Sequence, residues 1–220
     1  MTRTDKGYKG IGMEGTIARW YARNTGKDLS RFAEQTRAVV ARVPAGADVL
    51  EVAPGPGYLA IELARTGDYT VTGLDVSTSF VEMARQKAAE AGVQIDFRHG
   101  NVSAMPFENE SFDFIVCCAA FKNFSDPVGA LREMHRVLRP GGRAYINDLR
   151  RDVSKEAVDA DVARMGLGAV NRAITRYVLR SVLPRQAYDK RQFAALISHT
   201  DFRTFDIQET PISLDIELNK

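Results

Sequence analysis

A chain of 220 residues is long enough for one domain with a large core, or for a domain that carries a cap. Hydrophobic residues make up 45% and charged residues 26%, as in an ordinary soluble globular protein. The 30 basic and 28 acidic residues leave a net charge of +2, which gives no global attraction to nucleic acid.

Cys117 and Cys118 are the only cysteines and are adjacent, so no disulfide framework is implied and a reducing cytoplasm is expected. Residues 1–6 lack the apolar core of a signal peptide, and no apolar run approaches the length of a membrane span. His99, His135 and His199 have no metal-ligand spacing, so no metal is expected.

In chain order, residues 1–12 are rich in glycine and lysine and read as a mobile arm. A helical pattern over 13–22 puts Ile17, Trp20 and Tyr21 roughly on one side. A second helix over 29–42, with Phe32, Val39 and Val40 apolar, closes at Pro44-Ala45-Gly46. Strands and helices then alternate. A strand over 48–53 leads to a helix over 58–65, and a strand over 69–74 follows Gly67-Asp68. The next helix, 80–91, has Ser77-Thr78-Ser79 as capping hydroxyls and Gly92 as a left-handed stop. Strands over 93–98 and 112–118 come next, the second after the turn 108–111. Asp126-Pro127 opens a helix over 128–138, and Pro140-Gly141-Gly142 turns into a strand over 143–149.

After Arg151 the rhythm breaks. Residues 154–183 read as one or two helices interrupted at Gly166 and Gly168. A helix over 190–198 leads to strands over 202–209 and 212–218. The turn between them, Thr210-Pro211, is too short for a crossover helix, so they pair antiparallel.

Repeated strand–helix units predict an α/β fold: a mostly parallel sheet with helices on both faces. Ligands of such sheets bind beyond the carboxyl ends of the strands. The informative residues lie there: Ala53 to Gly57, Asp75, Asn101, Cys118 to Asn123, and Asp148.

The run Val49-Leu50-Glu51-Val52-Ala53 ends in Gly55-Pro56-Gly57 and passes at once into a helix. Glycines permit the sharp turn and a close approach of ligand to backbone, and helix N-terminal amides face that ligand. Gly55-Pro56-Gly57-Tyr58-Leu59-Ala60 also fits a dinucleotide fingerprint, and Asp75 suits a ribose diol. Two features point away from NAD. Pro56 removes an amide that a pyrophosphate would use, and Glu51 would repel a pyrophosphate while suiting an ammonium group. S-adenosylmethionine carries an ammonium, a sulfonium and a ribose, and no phosphate.

From about 49 to 149 the chain resembles the class I S-adenosylmethionine-dependent methyltransferases. Among them it is similar to the ubiquinone/menaquinone-biosynthesis C-methyltransferases and the small-molecule enzymes around them. The supporting blocks are Asn101-Val102-Ser103-Ala104-Met105-Pro106-Phe107 and Ser111-Phe112-Asp113-Phe114-Ile115-Val116. They continue in Phe121-Lys122-Asn123-Phe124-Ser125-Asp126 and Arg136-Val137-Leu138-Arg139-Pro140-Gly141-Gly142-Arg143. The resemblance implies one domain over 1–220 with a seven-stranded Rossmann-like sheet, a helical lid over 1–45, and a helical substrate cap over 154–188 after the fifth strand. It also implies site roles. Ala53, Gly55 and Gly57 line the amino-acid and ribose part of the cofactor, and Asp75 binds the ribose. Val76, Asn101 and Val102 border the adenine, and Cys118 lies beside the methionine portion. Tyr21 or Tyr8 touches the methionine carboxylate. Pro54-Gly55-Pro56-Gly57 departs from the family's commoner turn, which implies a stiffer loop.

The methyl donor is already activated, so orientation supplies much of the rate and no conspicuous catalytic residue is required. Asp148 is the candidate acid or base, set against a reading as a loop carboxylate. Lys122 and Asn123 are candidates for the substrate pocket, with Trp20 from the lid and Tyr177 from the insert. The insert carries Arg164, Arg172, Arg176, Arg180 and Arg185 beside an apolar side. It reads either as a cap over a small hydrophobic molecule or as a basic amphipathic surface that meets a membrane. The expected substrate is a small organic molecule, phenolic or quinol-like, methylated at carbon or oxygen. An NAD(P)-dependent oxidoreductase and a non-catalytic subunit of the same fold are the alternatives. No base-flipping motif follows the fourth strand, so no nucleic-acid partner is expected, and monomer and homodimer both stay open.

Overall fold

The computed structural model describes residues 7–9, 12–25 and 29–220. Seven strands form one sheet: β1 (Asp48–Val52), β2 (Thr70–Asp75), β3 (Asp96–His99), β4 (Phe112–Cys118), β5 (Leu138–Leu149), β6 (Thr204–Glu209) and β7 (Ser213–Asn219). Their spatial order is β3-β2-β1-β4-β5-β7-β6. Pairs among the first five strands are parallel, and β7 runs antiparallel between β5 and β6. The order reverses direction between β1 and β4, which places a crevice at their carboxyl ends.

Helices α1 (Gly15–Thr25) and α2 (Leu29–Val40) precede the sheet, and α3 (Tyr58–Arg65), α4 (Thr78–Glu90) and α5 (Pro127–Val137) connect its parallel strands. The insert holds α6 (Lys155–Arg164) and α7 (Ala169–Tyr177), and α8 (Lys190–Ile197) leads back to β6. Side-chain alternation along the strands divides the core in two. Val49, Val71, Phe114 and Val116 pack with Val39, Leu59, Leu63 and Ala84 of α2, α3 and α4. Leu50, Val52, Ile115, Cys117 and Ile146 pack with Leu131, Met134 and Phe193 of α5 and α8. Glu51 shares a strand face with Val49, so the fold carries a carboxylate into the interior.

The caps follow the local chemistry. Ser77 Oγ accepts the Phe80 amide at the start of α4, Asp126 accepts the Gly129 amide at the start of α5, and Gly92 takes φ 69° just after α4. Several boundaries differ from the expectation, among them these three. β1 stops at Val52 because Ala53 turns into the left-handed region at φ 56°. β3 begins at Asp96 rather than at residue 93. β5 begins at Leu138, which pairs with Phe112; the register shift before Phe114 absorbs Gly141 at φ 78°, so the expected turn is a bulge within the strand.

The expected mobile arm also needs correction. Residues 1–6, 10 and 11 lie outside the described residues. Tyr8 forms a bridge with Phe124, and the Lys9 amide donates to the Asn123 carbonyl at 2.7 Å. Residues 7–9 therefore form a strap bonded across the loop that follows β4.

Candidate active site

A cavity of about 760 Å³ opens at the carboxyl ends of β1, β2 and β4. The glycine turn, the strap, α1 and α7 all contribute to its walls. Two strand ends bend away from it with non-glycine residues in the left-handed region, Ala53 at φ 56° and Ala119 at φ 57°. Such backbone is found where surrounding structure holds it for a purpose, and both alanines line the cavity.

The turn after β1 is built from proline and glycine. The Gly57 amide donates to the Pro54 carbonyl at 3.0 Å and closes it. Gly55 has φ 56°, and the direction its Cβ would take is open. A ligand can therefore approach this backbone closely. Gly57 plays a different part. It lies at φ 82° at the start of α3, where a Cβ would stand 3.0 Å from Ala84 and Phe97, and it does not line the cavity.

Asp75 organises the turn. Its Oδ2 accepts the Gly55 amide and its Oδ1 accepts the Ser77 amide, each at 2.9 Å. Each carboxylate oxygen keeps further acceptor capacity toward the cavity. Burial pushes the Asp75 carboxyl up to about 6, against the pull of those two amides. Glu51 is still more enclosed. It is 4% exposed, and its Oε2 is buried without a hydrogen-bond partner. Burial drives its carboxyl up to about 8; the Ala60 amide opposes the shift, and the Asp75 charge adds to it. A buried acceptor that the protein itself does not satisfy suits a cationic donor.

Charge sharpens this. Glu14, Glu51 and Asp75 line the cavity, and among the described lining residues there is no Lys, Arg or His. The Glu14 carboxylate accepts the Thr78 and Ser79 amides at 3.0 Å each, which ties the start of α1 to the N-terminus of α4. Such a cavity repels a pyrophosphate and suits a ligand with an ammonium and a sulfonium. The residues present thus fit S-adenosylmethionine: the chemistry of the buried Glu51 carboxylate suits an ammonium, and that of Asp75 suits a ribose diol.

The structure gathers most of the expected residues into this cavity. Trp20, Tyr21, Glu51, Ala53, Gly55, Asp75, Val76, Val102, Cys118 and Asn123 all line it, as does Tyr8. Asn101 does not; its Oδ1 accepts the Ser103 amide at 3.0 Å, and its neighbours Gly100 and Val102 take the lining positions. Tyr177 does not either. It is 65% exposed because the cavity-facing side of the insert helix carries Asn171, Thr175 and Leu179, spaced by one helical turn. That i, i+4 pattern was present in the sequence as a signal for the right face.

Asp148 and Lys122 require the largest correction. Neither lines the cavity. The Lys122 Nζ meets Asp148 Oδ1 at 2.8 Å, and the Lys122 amide donates to Asp148 Oδ2 at 2.7 Å. The same ammonium donates to the Ala119 carbonyl at 2.5 Å, and Asp148 Oδ1 also accepts the Leu149 amide. Both side chains are about 5% exposed. A carboxylate so occupied holds the loop 119–123 in place behind the cavity wall and is not available as a base in this geometry.

Comparison with known proteins agrees with the fold. A solved structure of a SAM-dependent methyltransferase from Aquifex aeolicus superposes with a TM-score of 0.66 at 17% identity, over 87% of this chain and 98% of that one. The chain thus has the class I S-adenosylmethionine-dependent methyltransferase fold. Residues 50–146 match the family model described as "Methyltransferase domain", and this stretch is a methyltransferase domain. Over 105 residues the chain is 43% identical to the ubiquinone/menaquinone biosynthesis C-methyltransferase UbiE of Bdellovibrio bacteriovorus, covering 46% of this chain and 44% of the relative. Over 109 residues it is 37% identical to the ubiquinone biosynthesis O-methyltransferase of Xanthomonas axonopodis pv. citri, covering 49% and 45%. The chain spans less than half the length of these curated relatives.

Proposed function

We propose that this chain transfers a methyl group from S-adenosylmethionine to a small, largely apolar organic acceptor, phenolic or quinol-like, by direct displacement at the methyl carbon. The observation that carries the reading is the buried, unpartnered Glu51 Oε2 in a cavity whose described lining holds three carboxylates and no basic side chain. S-adenosylmethionine, when bound, supplies a methyl already activated by its sulfonium.

The chain's own residues then bind, orient and exclude water. Glu51 holds the ammonium and Asp75 the ribose hydroxyls, with Gly55 giving the backbone approach. Gly100, Val76 and Val102 border the adenine, and Cys118 the methionine portion. Tyr8 and Tyr21 complete the cofactor end, where Tyr21 also stacks edge-on against Phe80 with centroids 5.7 Å apart. The strap and α1 serve as the lid, and α6 and α7 as the cap of a single functional unit. The acceptor end is formed by Trp20, Asn123, Asn171, Ile174, Thr175 and Leu179. It offers amides and a hydroxyl but no imidazole or carboxylate, so an acceptor there brings a nucleophile that needs no strong base. A phenol or quinol, with a hydroxyl far more acidic than an alcohol's, meets that requirement. The names of the two curated relatives, one a C- and one an O-methyltransferase, are consistent with either acceptor atom. Cys117 and Cys118 form no disulfide, which supports a cytoplasmic location. Among the described residues no helix is long and apolar enough to cross a membrane.

An NAD(P)-dependent oxidoreductase is not favoured, because a pyrophosphate would meet Glu51 and find no basic partner. Calorimetry with both cofactors tests the proposal: S-adenosylmethionine is expected to bind and NADH not to. The reverse result would overturn it. A labelled-methyl screen across phenols, quinols, amines and thiols then identifies the acceptor.

A further inference from the structure

Among the described residues, most of the exposed large hydrophobic side chains lie around one opening. Ile17, Trp20 and Tyr21 on α1 are 44%, 59% and 37% exposed. Val170, Ile174 and Tyr177 on α7 are 73%, 52% and 65% exposed. Trp20, Tyr21 and Ile174 also line the cavity, so the two groups face each other across its mouth. Spacings of three and four residues put Ile17 beside Trp20 and Tyr21, and Val170 and Tyr177 beside Ile174. Each helix thus presents an apolar stripe to solvent at the rim. Scattered single residues would need no explanation; a ring of six around one opening does.

The charges carried by these helices themselves are of one sign. Helix α1, helix α7 and the 178–185 segment contain Arg19, Arg23, Arg172, Arg176, Arg180 and Arg185, and no acid. Arg176 and Arg180 are engaged by Asp159 of α6. Arg19, Arg23, Arg172 and Arg185 are exposed. This contrasts with the near balance of the whole chain, 30 basic to 28 acidic. Tryptophan and tyrosine beside arginines, on helices that expose aliphatic groups, are the side chains that settle at the boundary between headgroups and acyl chains.

We propose that the cavity mouth docks on an anionic lipid bilayer, with α1 and α7 lying in its interface. The apolar stripes enter the acyl boundary and the exposed arginines meet the headgroups. A mouth facing the bilayer admits an apolar acceptor without a passage through water, a consequence that rests on the methyl-transfer reading; the docking does not.

The chain has a single tryptophan, and Trp20 stands at the rim, so intrinsic fluorescence reports docking directly. The full chain is titrated with phosphatidylcholine vesicles and with vesicles that also contain phosphatidylglycerol. Trp20 emission should shift to the blue and lose access to an aqueous quencher with the mixed vesicles, with partitioning about tenfold stronger than to phosphatidylcholine alone and weakened by salt. Val170→Ser with Tyr177→Ser should weaken partitioning by about tenfold. S-adenosylmethionine affinity should be unchanged, because neither residue lines the cavity. Arg19→Glu with Arg185→Glu should remove the preference for anionic lipid. The proposal is overturned if neither vesicle binds, or if both sets of variants bind as the parent does. It is also overturned if Trp20 becomes covered in lipid-free buffer as chain concentration rises, since a second copy would then be the occupant. Cofactor binding with no lipid binding would sink docking alone, and lipid binding with no cofactor binding would sink the methyl-transfer reading alone.

Discussion

The Lys122 ammonium and the Asp148 carboxylate meet at 2.8 Å behind the wall of the cavity, while Cys118, Ala119, Ala120 and Asn123, on either side of Lys122 in the chain, line it. The pair joins the end of β5 to the loop after β4, and the lysine also holds the carbonyl of Ala119 in its left-handed conformation. A strap residue reaches the same place: Lys9 Nζ donates to the Lys122 carbonyl at 3.3 Å and to Tyr188 Oη at 2.8 Å.

Breaking the pair should act first on stability. Asp148→Asn leaves a buried ammonium without its counter-charge, and the expected loss is about 3–5 kcal/mol. Urea denaturation of parent and variant measures it. A fully stable Asp148→Asn variant would show that the pair is dispensable, and a stable but inactive one would restore the reading of Asp148 as a base.

Asp75 has two duties. Asp75→Ala removes the acceptor proposed for the ribose and also the anchor of the Gly55 and Ser77 amides. Two charge-assisted hydrogen bonds of about 1.5–3 kcal/mol each put the loss of S-adenosylmethionine affinity at about a hundredfold or more. Calorimetry reads it, and an unchanged dissociation constant refutes the assignment.

Glu51 makes stability fall as pH rises. Its carboxyl is at about 8 in the folded chain and in the ordinary carboxylate range when unfolded. Between those limits the native state binds the extra proton. The stabilising contribution is therefore complete below the unfolded value and is lost as pH rises to about 8, at up to about 1.4 kcal/mol per pH unit. Asp75, at about 6, adds a loss of the same sign over the lower part of that window. Thermal melts across this range should show the decline, and Glu51→Gln should flatten it.

The same proton should be linked to ligand binding. A cation beside Glu51 favours its charged form, so binding near pH 7 should release a proton. Calorimetry in buffers of different ionisation enthalpy counts that proton. Affinity should rise with pH up to about 8, the folded value of Glu51, and the linkage should vanish in Glu51→Gln.

The two glycines of the turn should respond differently to alanine. At Gly57 a Cβ would press on Ala84 and Phe97 at 3.0 Å with φ at 82°, so Gly57→Ala should destabilise the fold by about 1–3 kcal/mol. At Gly55 the Cβ meets nothing within the protein, so Gly55→Ala should cost about 1 kcal/mol of backbone strain and weaken cofactor binding more than stability. Paired melts and calorimetry separate the two; equal loss of stability in both would contradict the division.

The frame is legible from local sequence alone. Apolar runs such as Val49 to Val52 and Phe112 to Cys118, the Ser77 cap, Asp126-Pro127 and Gly92 specify strands, starts and stops through backbone sterics and bonds between near neighbours. The Gly55–Gly57 turn with Glu51 and Asp75 was legible for the same reason, because each lies at or beside the end of an early strand. Which polar residues line the cavity depends instead on packing between distant segments. Lys122 and Asp148, 26 positions apart, neutralise each other, and Glu14 caps a helix more than sixty positions away. Asn171 and Thr175, in place of Tyr177, turn inward once the insert is seated. Those choices follow from contacts between distant parts of the chain, where a buried charge must find its counter-charge and a helix can bury only one face.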